Sequence, residues 1–263
     1  MTVTERRIRS HAQSEEPQTI VTRWVTSAQE ASNAVHSNAR GTVWIVRKCK
    51  FAESIARGLA ERKLSKKSGQ IFFLTTIRSP LLPVFETGFE KVASPSAAVP
   101  SNELNSVLTS ADRNERFVGG TVDKQSKIVT LWLGDLRHLV VPFDAFRPTA
   151  NGIQPNFNLF SIADYGTTLK FGDYEAVAEA VLYEFDPEFR RRLKQRRWAE
   201  DDSLGASIRR LRMQRQLTRD DFESVAPKTL ARIENGQVKN PHAATLAAIA
   251  KRLKVEPEDL RNY

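Results

Sequence analysis

The sequence predicts a multidomain α+β chain. It has an N-terminal α/β region with a βαβ-like segment, a small antiparallel β-rich module and a C-terminal all-α bundle. Three observations carry this prediction. Strand-type and helix-type patterns alternate from Ile20 to about residue 115. Short strands separated by turn residues follow. From Leu204 onward the apolar residues recur only at helical spacing.

Residues 1–18 are rich in Arg, Ser, Glu and Gln and have no apolar period, so a disordered tail is expected there. A domain at 19–115 follows. Ser27–Val35 suits a short helix, and Thr42–Val46, β-branched and aromatic, suits a strand. Ile55, Leu59 and Leu64 give Ala52–Leu64 a helical stripe. A turn over Ser65–Gly69 then leads into a second apolar strand, Gln70–Ile77. Strand, helix and strand over this length predict a βαβ unit with a parallel pair. Ser79–Pro100, with four prolines, reads as loop, and Ser101 as the cap of a short helix from Asn102 to Leu108.

The β-rich module is expected at 116–185. Phe117–Val122, Lys127–Leu133 and Arg137–Val141 are three strands, with hairpin turns at Asp123–Ser126 and Gly134-Asp135. Pro142 ends the third, because proline cannot donate to a central ladder. Gly119-Gly120 suggests a turn or bulge and lacks the residues of a phosphate loop. After a polar loop at Pro148–Pro155, Leu159–Ile162 and Thr168–Phe171 are further strands, and Tyr174–Val181 suits a helix or a short strand.

A linker helix is expected over 186–202. Pro187 suits a first helical turn, and the acidic residues beside it suit the helix dipole. Six of the eight residues Arg190–Arg197 are basic, which suits either a solvated face or auxiliary phosphate contact; nuclear targeting is the weaker reading. The last domain spans 203–263. Leu204, Ile208 and Leu211 form one helical stripe, and Thr218 is placed to cap a second helix. Lys228–Asn235 forms the next helix, stopped by Gly236. Pro241 opens another helix carrying Leu246, Ile249 and Leu253, and a short last helix runs through Leu260.

Charge sharpens this division. The 263 residues hold 40 Lys+Arg and 31 Asp+Glu, a net charge of +9. Phe189–Tyr263 holds 18 basic and 10 acidic residues, a net of +8, which leaves +1 for the other 188 residues. A polyanionic partner is therefore expected at the C-terminal end. The longest apolar runs, such as Leu139–Phe143, are far short of the ~20 residues of a membrane helix, so no membrane partner is expected. The polar N-terminus argues against secretion, and the single cysteine, Cys49, fits a reducing cytosol. Cys49, between Lys48 and Lys50, is a simple thiol rather than a redox centre in this reading. His11, His36, His138 and His242 have no metal-ligand spacing, so no metal and no cofactor is expected. The tryptophans are core or interface residues, and no catalytic arrangement stands out.

Two resemblances add to this. Leu217–Phe222 (LTRDDF), Thr229–Gly236 (TLARIENG) and Asn240–Val255 (NPHAATLAAIAKRLKV) resemble the Cro/C1-type (XRE) helix-turn-helix family over about 60 residues. The interval from Leu217 to Gly236 is about three residues shorter than the usual pattern, so helix two or its turn must be contracted. Lys127–Glu184 is similar to a small bacterial β-rich module, domain of unknown function 2442, which implies no chemistry.

The first resemblance implies a sequence-specific DNA-binding regulator that works as a homodimer on double-stranded DNA in the bacterial cytoplasm. Lys228, Thr229 and Arg232 share one face of the recognition helix, where base contact is expected. Arg219, Asn235 and Lys239 are the expected phosphate contacts. Arg212 and Glu234 are expected to form a partly buried structural ion pair. The runner-up reading is an antitoxin-like or mobile-element regulator, in which residues 19–115 hold a protein partner while the C-terminal domain controls its own promoter. A third places an enzyme in the βαβ-like region.

Overall fold

In a computed structural model of the chain, the described residues are 20–261 apart from 38, 40 and 62–66. The tail expected at 1–18, Leu64 and the first residues of the turn after it lie outside them. The chain divides into two compact units between Asp186 and Pro187.

The first unit opens with strand β1 (Val21–Val25), helix α1 (Ala28–His36), strand β2 (Thr42–Val46), helix α2 (Cys49–Glu61) and strand β3 (Ser68–Phe73). Helix α3 (Leu82–Gly88) and strand β4 (Phe89–Ala93) follow. The four strands form a parallel sheet in the order β1-β2-β3-β4, so each crossover carries a helix, as parallel pairing requires. Ser27 starts α1 with a capping box: its side chain accepts from Glu30 N, and the Glu30 carboxylate accepts from Ser27 N. Two bonds from Thr26, the side-chain one being the largest cause, and those from the Ser27 hydroxyl and N–H hold the Glu30 carboxyl below its ordinary pKa.

Strand β2 is buried along its whole length, as a central parallel strand must be. Alternate residues Trp44, Val46, Ile71 and Phe73 pack with Ala31, Val35, Ile55, Leu59 and Phe85 of the helices. Burying each of the large ones contributes roughly 1.5–3 kcal/mol.

Two expectations fail here. The strand predicted at Gln70–Ile77 runs instead over Ser68–Phe73, because its partner β2 ends at Val46, opposite Phe73, and Leu74 N donates the last bond to Val46 O. Ser68 and Gly69 are therefore strand, not turn. The span expected as loop, Ser79–Pro100, holds α3 and β4. Pro83 sits in the first turn of α3, where its missing N–H costs nothing, and Phe85 and Phe89 are driven into the core.

Strand β5 (Ala97–Ala98), helix α4 (Ser101–Thr109) and strands β6 (Phe117–Asp123), β7 (Ile128–Leu133) and β8 (His138–Pro142) come next. Ser101 lies inside α4 rather than capping it; Pro100 occupies the cap position and supplies no side-chain bond. The junction expected at residue 115 falls within this unit, where α4 packs beside β1 and β6 and Thr22 hydrogen-bonds to Asn105. Strands β5 to β8 form an antiparallel sheet in chain order, with a register shift between Phe117 and Gly119.

Strands β9 (Phe160–Ala163), β10 (Thr168–Phe171) and β11 (Tyr174–Val177) form a second antiparallel sheet, and helix α5 (Ala178–Phe185) closes the unit. Tyr174–Val181, expected as one element, thus divides into strand and helix. Gly120 leaves room for the Phe160 ring, which a Cβ would meet at 2.6 Å. Around it Phe143 stacks on Phe157 with ring centroids 3.7 Å apart, and Phe146 and Phe171 complete the cluster.

The second unit comprises helices α6 (Pro187–Glu200), α7 (Leu204–Gln214), α8 (Pro227–Glu234) and α9 (Ala243–Leu253), then a 3-10 turn at Pro257–Arg261. Ile208, Leu211, Phe222, Leu230, Ile233, Ile249 and Leu253 form its core. This bundle, with the two antiparallel sheets and the parallel sheet of the first unit, is the α+β architecture read from the sequence. Among the described residues no helix is long and apolar enough to cross a membrane.

Candidate nucleic-acid interface

Helix α8 is short and begins with Pro227 in its first turn, preceded by Ala226 in extended backbone, the conformation a following proline favours. Leu230 and Ile233 are buried. Lys228, Thr229 and Arg232 are all exposed, at positions i, i+1 and i+4. The helix stops at Gly236, whose φ of 69° lies in the left-handed region that glycine adopts without strain. Asn235, at the C-cap, and Lys239, beyond the stop, are exposed.

A helix expected to start at Thr218 is absent: residues 218–226 form turns and bends. Only eight residues separate Thr218 from Pro227, and Pro227 forces its predecessor out of helical geometry. Thr218 does not cap through an acceptor side chain. Its N–H and hydroxyl both donate to Asp221 Oδ2, at 2.6 and 2.7 Å. These bonds, the hydroxyl's first, hold the Asp221 carboxyl below its ordinary pKa. Phe222 and Val225 reach the core through a single turn, in which Val225 N donates to Phe222 O.

Arginine side chains supply the bonds that a helical ladder would have made. Arg212 Nη1 donates to Leu217 O at 2.8 Å, and Arg252 Nε of α9 donates to Asp221 O at 2.7 Å. Arg212 and Arg219 both reach Glu234, whose side chain is fully buried. Arg212 Nε lies 2.6 Å from Glu234 Oε1, and Arg219 Nε and Nη2 lie 2.9 and 2.8 Å from Oε2. Arg219 therefore does not stand at the head of a second helix facing a phosphate; it forms the second arm of a clamp on Glu234.

Helix α6 carries its basic run in the same unit. Of its residues only Phe189 is buried. Its end is fastened to α7 through Trp198. The Arg209 guanidinium stacks 3.4 Å from the Trp198 ring centroid, Lys194 Nζ lies 4.6 Å from it, and Arg210 Nη1 donates to Trp198 O at 3.1 Å. Burial lowers the pKa of Arg209, with Glu234 opposing and Arg219 and Arg212 adding to the shift.

Sequence reasoning missed Gly205 and the Trp198–Arg209 stack. A Cβ on Gly205 would collide with Ile233 O and lie 3.3 Å from Glu234 Cα, so the backbones of α7 and α8 meet there. A glycine within a helical pattern was the available signal, since it is tolerated mainly where packing needs it. In the first unit Cys49 is exposed, with Sγ 3.7 Å from Glu53 Oε1, and His138 is exposed on β8.

A small all-α unit that displays a short, basic-faced helix beside a glycine stop has the parts of a helix-turn-helix module. A family model described as a helix-turn-helix domain matches residues 203–263. The C-terminal unit thus carries a helix-turn-helix domain. Comparison with curated proteins and with solved structures found no match.

Proposed function

We propose that the protein is a sequence-specific DNA-binding transcriptional regulator of the Cro/C1 (XRE) type, acting by binding rather than catalysis. The observation that carries this reading is the exposed face of α8, with Lys228, Thr229 and Arg232 together and no apolar residue among them, inside the matched domain. Arg232 reads a base edge, with guanine as its preferred bidentate partner, and Lys228 and Thr229 reach neighbouring edges or phosphate. Asn235 and Lys239 hold the backbone beyond the helix. Arg219, committed to Glu234, contributes by fixing α8 rather than by meeting phosphate. Two copies bind half-sites about one helical turn apart, in the cytoplasm and on the nucleoid. The β-rich part of the first unit is a module of the type of domain of unknown function 2442.

The test starts with selection of bound duplexes from a random pool by the intact protein. Titration of wild type and Arg232→Ala on the selected and a scrambled duplex then follows. Arg232→Ala should weaken selected-site binding by about 1–3 kcal/mol and leave scrambled binding nearly unchanged. Equal losses on both duplexes would remove the base-reading role.

A further inference from the structure

We propose that α6 is a second DNA-contacting element, which lays its basic face along the phosphate backbone of the duplex that α8 reads. The proposal rests on the reading of the second unit as DNA-binding and assigns a function to a helix that precedes the matched residues 203–263.

Its composition is unusual for a structural helix. Fourteen residues bury only Phe189, and six bases crowd Arg190–Arg197. Arg191, Lys194 and Arg197 are all exposed and follow each other at three-residue spacing. They cover about 9 Å of helix axis, a length over which duplex DNA presents about five phosphates. Like charges three and four residues apart oppose an isolated helix. A polyanion lying along the face turns this repulsion into attraction.

Attachment separates this helix from a loose, solvated linker. Trp198 is held against α7 by Arg209 stacked at 3.4 Å, and its carbonyl accepts from Arg210. Arg210 also donates to Asp201 O at 2.6 Å, which binds the chain just after α6 to the same helix. The end of α6 is thus fixed to the body that carries α8, and its charges are presented with that body. A basic helix so held adds phosphate contacts without adding base preference.

The experiment is a salt titration of binding by the full chain, read by fluorescence anisotropy on 30-bp duplexes of selected and scrambled sequence. Wild type is compared with Arg191→Gln/Lys194→Gln/Arg197→Gln, and unchanged amide-exchange protection of α7 and α8 checks the fold. Each phosphate contact contributes about 0.9 to the slope of log affinity against log salt, so the triple variant should lose about 2.7 from that slope. Between 50 and 200 mM salt the wild type should then lose about 40-fold more affinity than the variant, equally on both duplexes. Trp198→Ala, which keeps every charge but releases the end of α6, should lower the slope part of the way. An unchanged slope in the triple variant, with wild type binding normally, overturns this proposal alone. Failure of the wild type to bind any duplex overturns the DNA-binding reading and this one with it.

Discussion

The Glu234 clamp allows a prediction worked from the structure. Glu234→Gln preserves volume but removes the charge that two arginines share. Arg212 would remain with its side chain only 12% exposed and its ion partner gone; the Arg219 side chain is 36% exposed and is screened by water. The amide would also turn a donor toward one of two donor groups. Breaking a buried pair by removing one partner costs about 3–5 kcal/mol, and a small domain has only about 5–15 kcal/mol in all. The exposures also order the partners. Arg212→Gln should cost about as much as Glu234→Gln, because it leaves a fully buried carboxylate with one solvated partner. Arg219→Gln should cost about 0–1 kcal/mol. The chain has two units, so a single global unfolding transition is not the right readout. Amide exchange of α7 and α8 peptides in the full chain reports the local free energy directly. Protection in Glu234→Gln within about 1 kcal/mol of wild type would refute the reasoning, as would equal losses from the two arginine variants.

Two further predictions concern the same unit. Gly205→Ala improves helix propensity by about 1 kcal/mol, yet its Cβ would drive α7 off the α8 carbonyl at Ile233, so a net loss of about 1–3 kcal/mol is expected in the amide-exchange protection of α7 and α8. Asp221 should titrate below the ordinary aspartate value of about 3.9, because Thr218 donates twice to its ionised form. A depressed folded pKa means that its contribution is fully present above about pH 3.9 and is lost as pH falls through the folded value. A carboxyl NMR titration checks the direction, and Asp221→Asn should abolish that part of the acid dependence at residues 218–225.

Elements were legible where local pattern and tertiary demand agree. Thr42–Val46 is strand to the residue, because β-branched and aromatic side chains suit a position buried on both faces. The three antiparallel strands were legible through alternation and through turn residues between them. Helix α3 was not, since prolines were counted as breakers without regard to position, and Pro83 lies where a helix tolerates it. Strand β4 was hidden by Glu90 and Lys91 within it, as an edge strand allows. The second helix of the C-terminal domain looked present because Thr218 is a residue type that caps helices. Only the distance to Pro227 decides against it.

That missing helix changes the meaning of the charge. Composition places 18 basic residues from Phe189 onward, as if all of them faced a polyanion. The structure sets at least five of them to internal work. Arg209 stacks on Trp198; Arg210, Arg212 and Arg252 donate to backbone carbonyls; and Arg212 and Arg219 hold Glu234. A stretch too short for a helix still has carbonyls to satisfy, and a long planar donor satisfies them from a neighbouring helix. The arginine that looks best placed for phosphate, Arg219, is by this logic already engaged by Glu234. Exposed cations outside this set include Arg191 and Arg197 on α6, Lys228 and Arg232 on α8, and Lys239. The salt dependence of binding should therefore follow the charge on those surfaces, not the net charge of the segment.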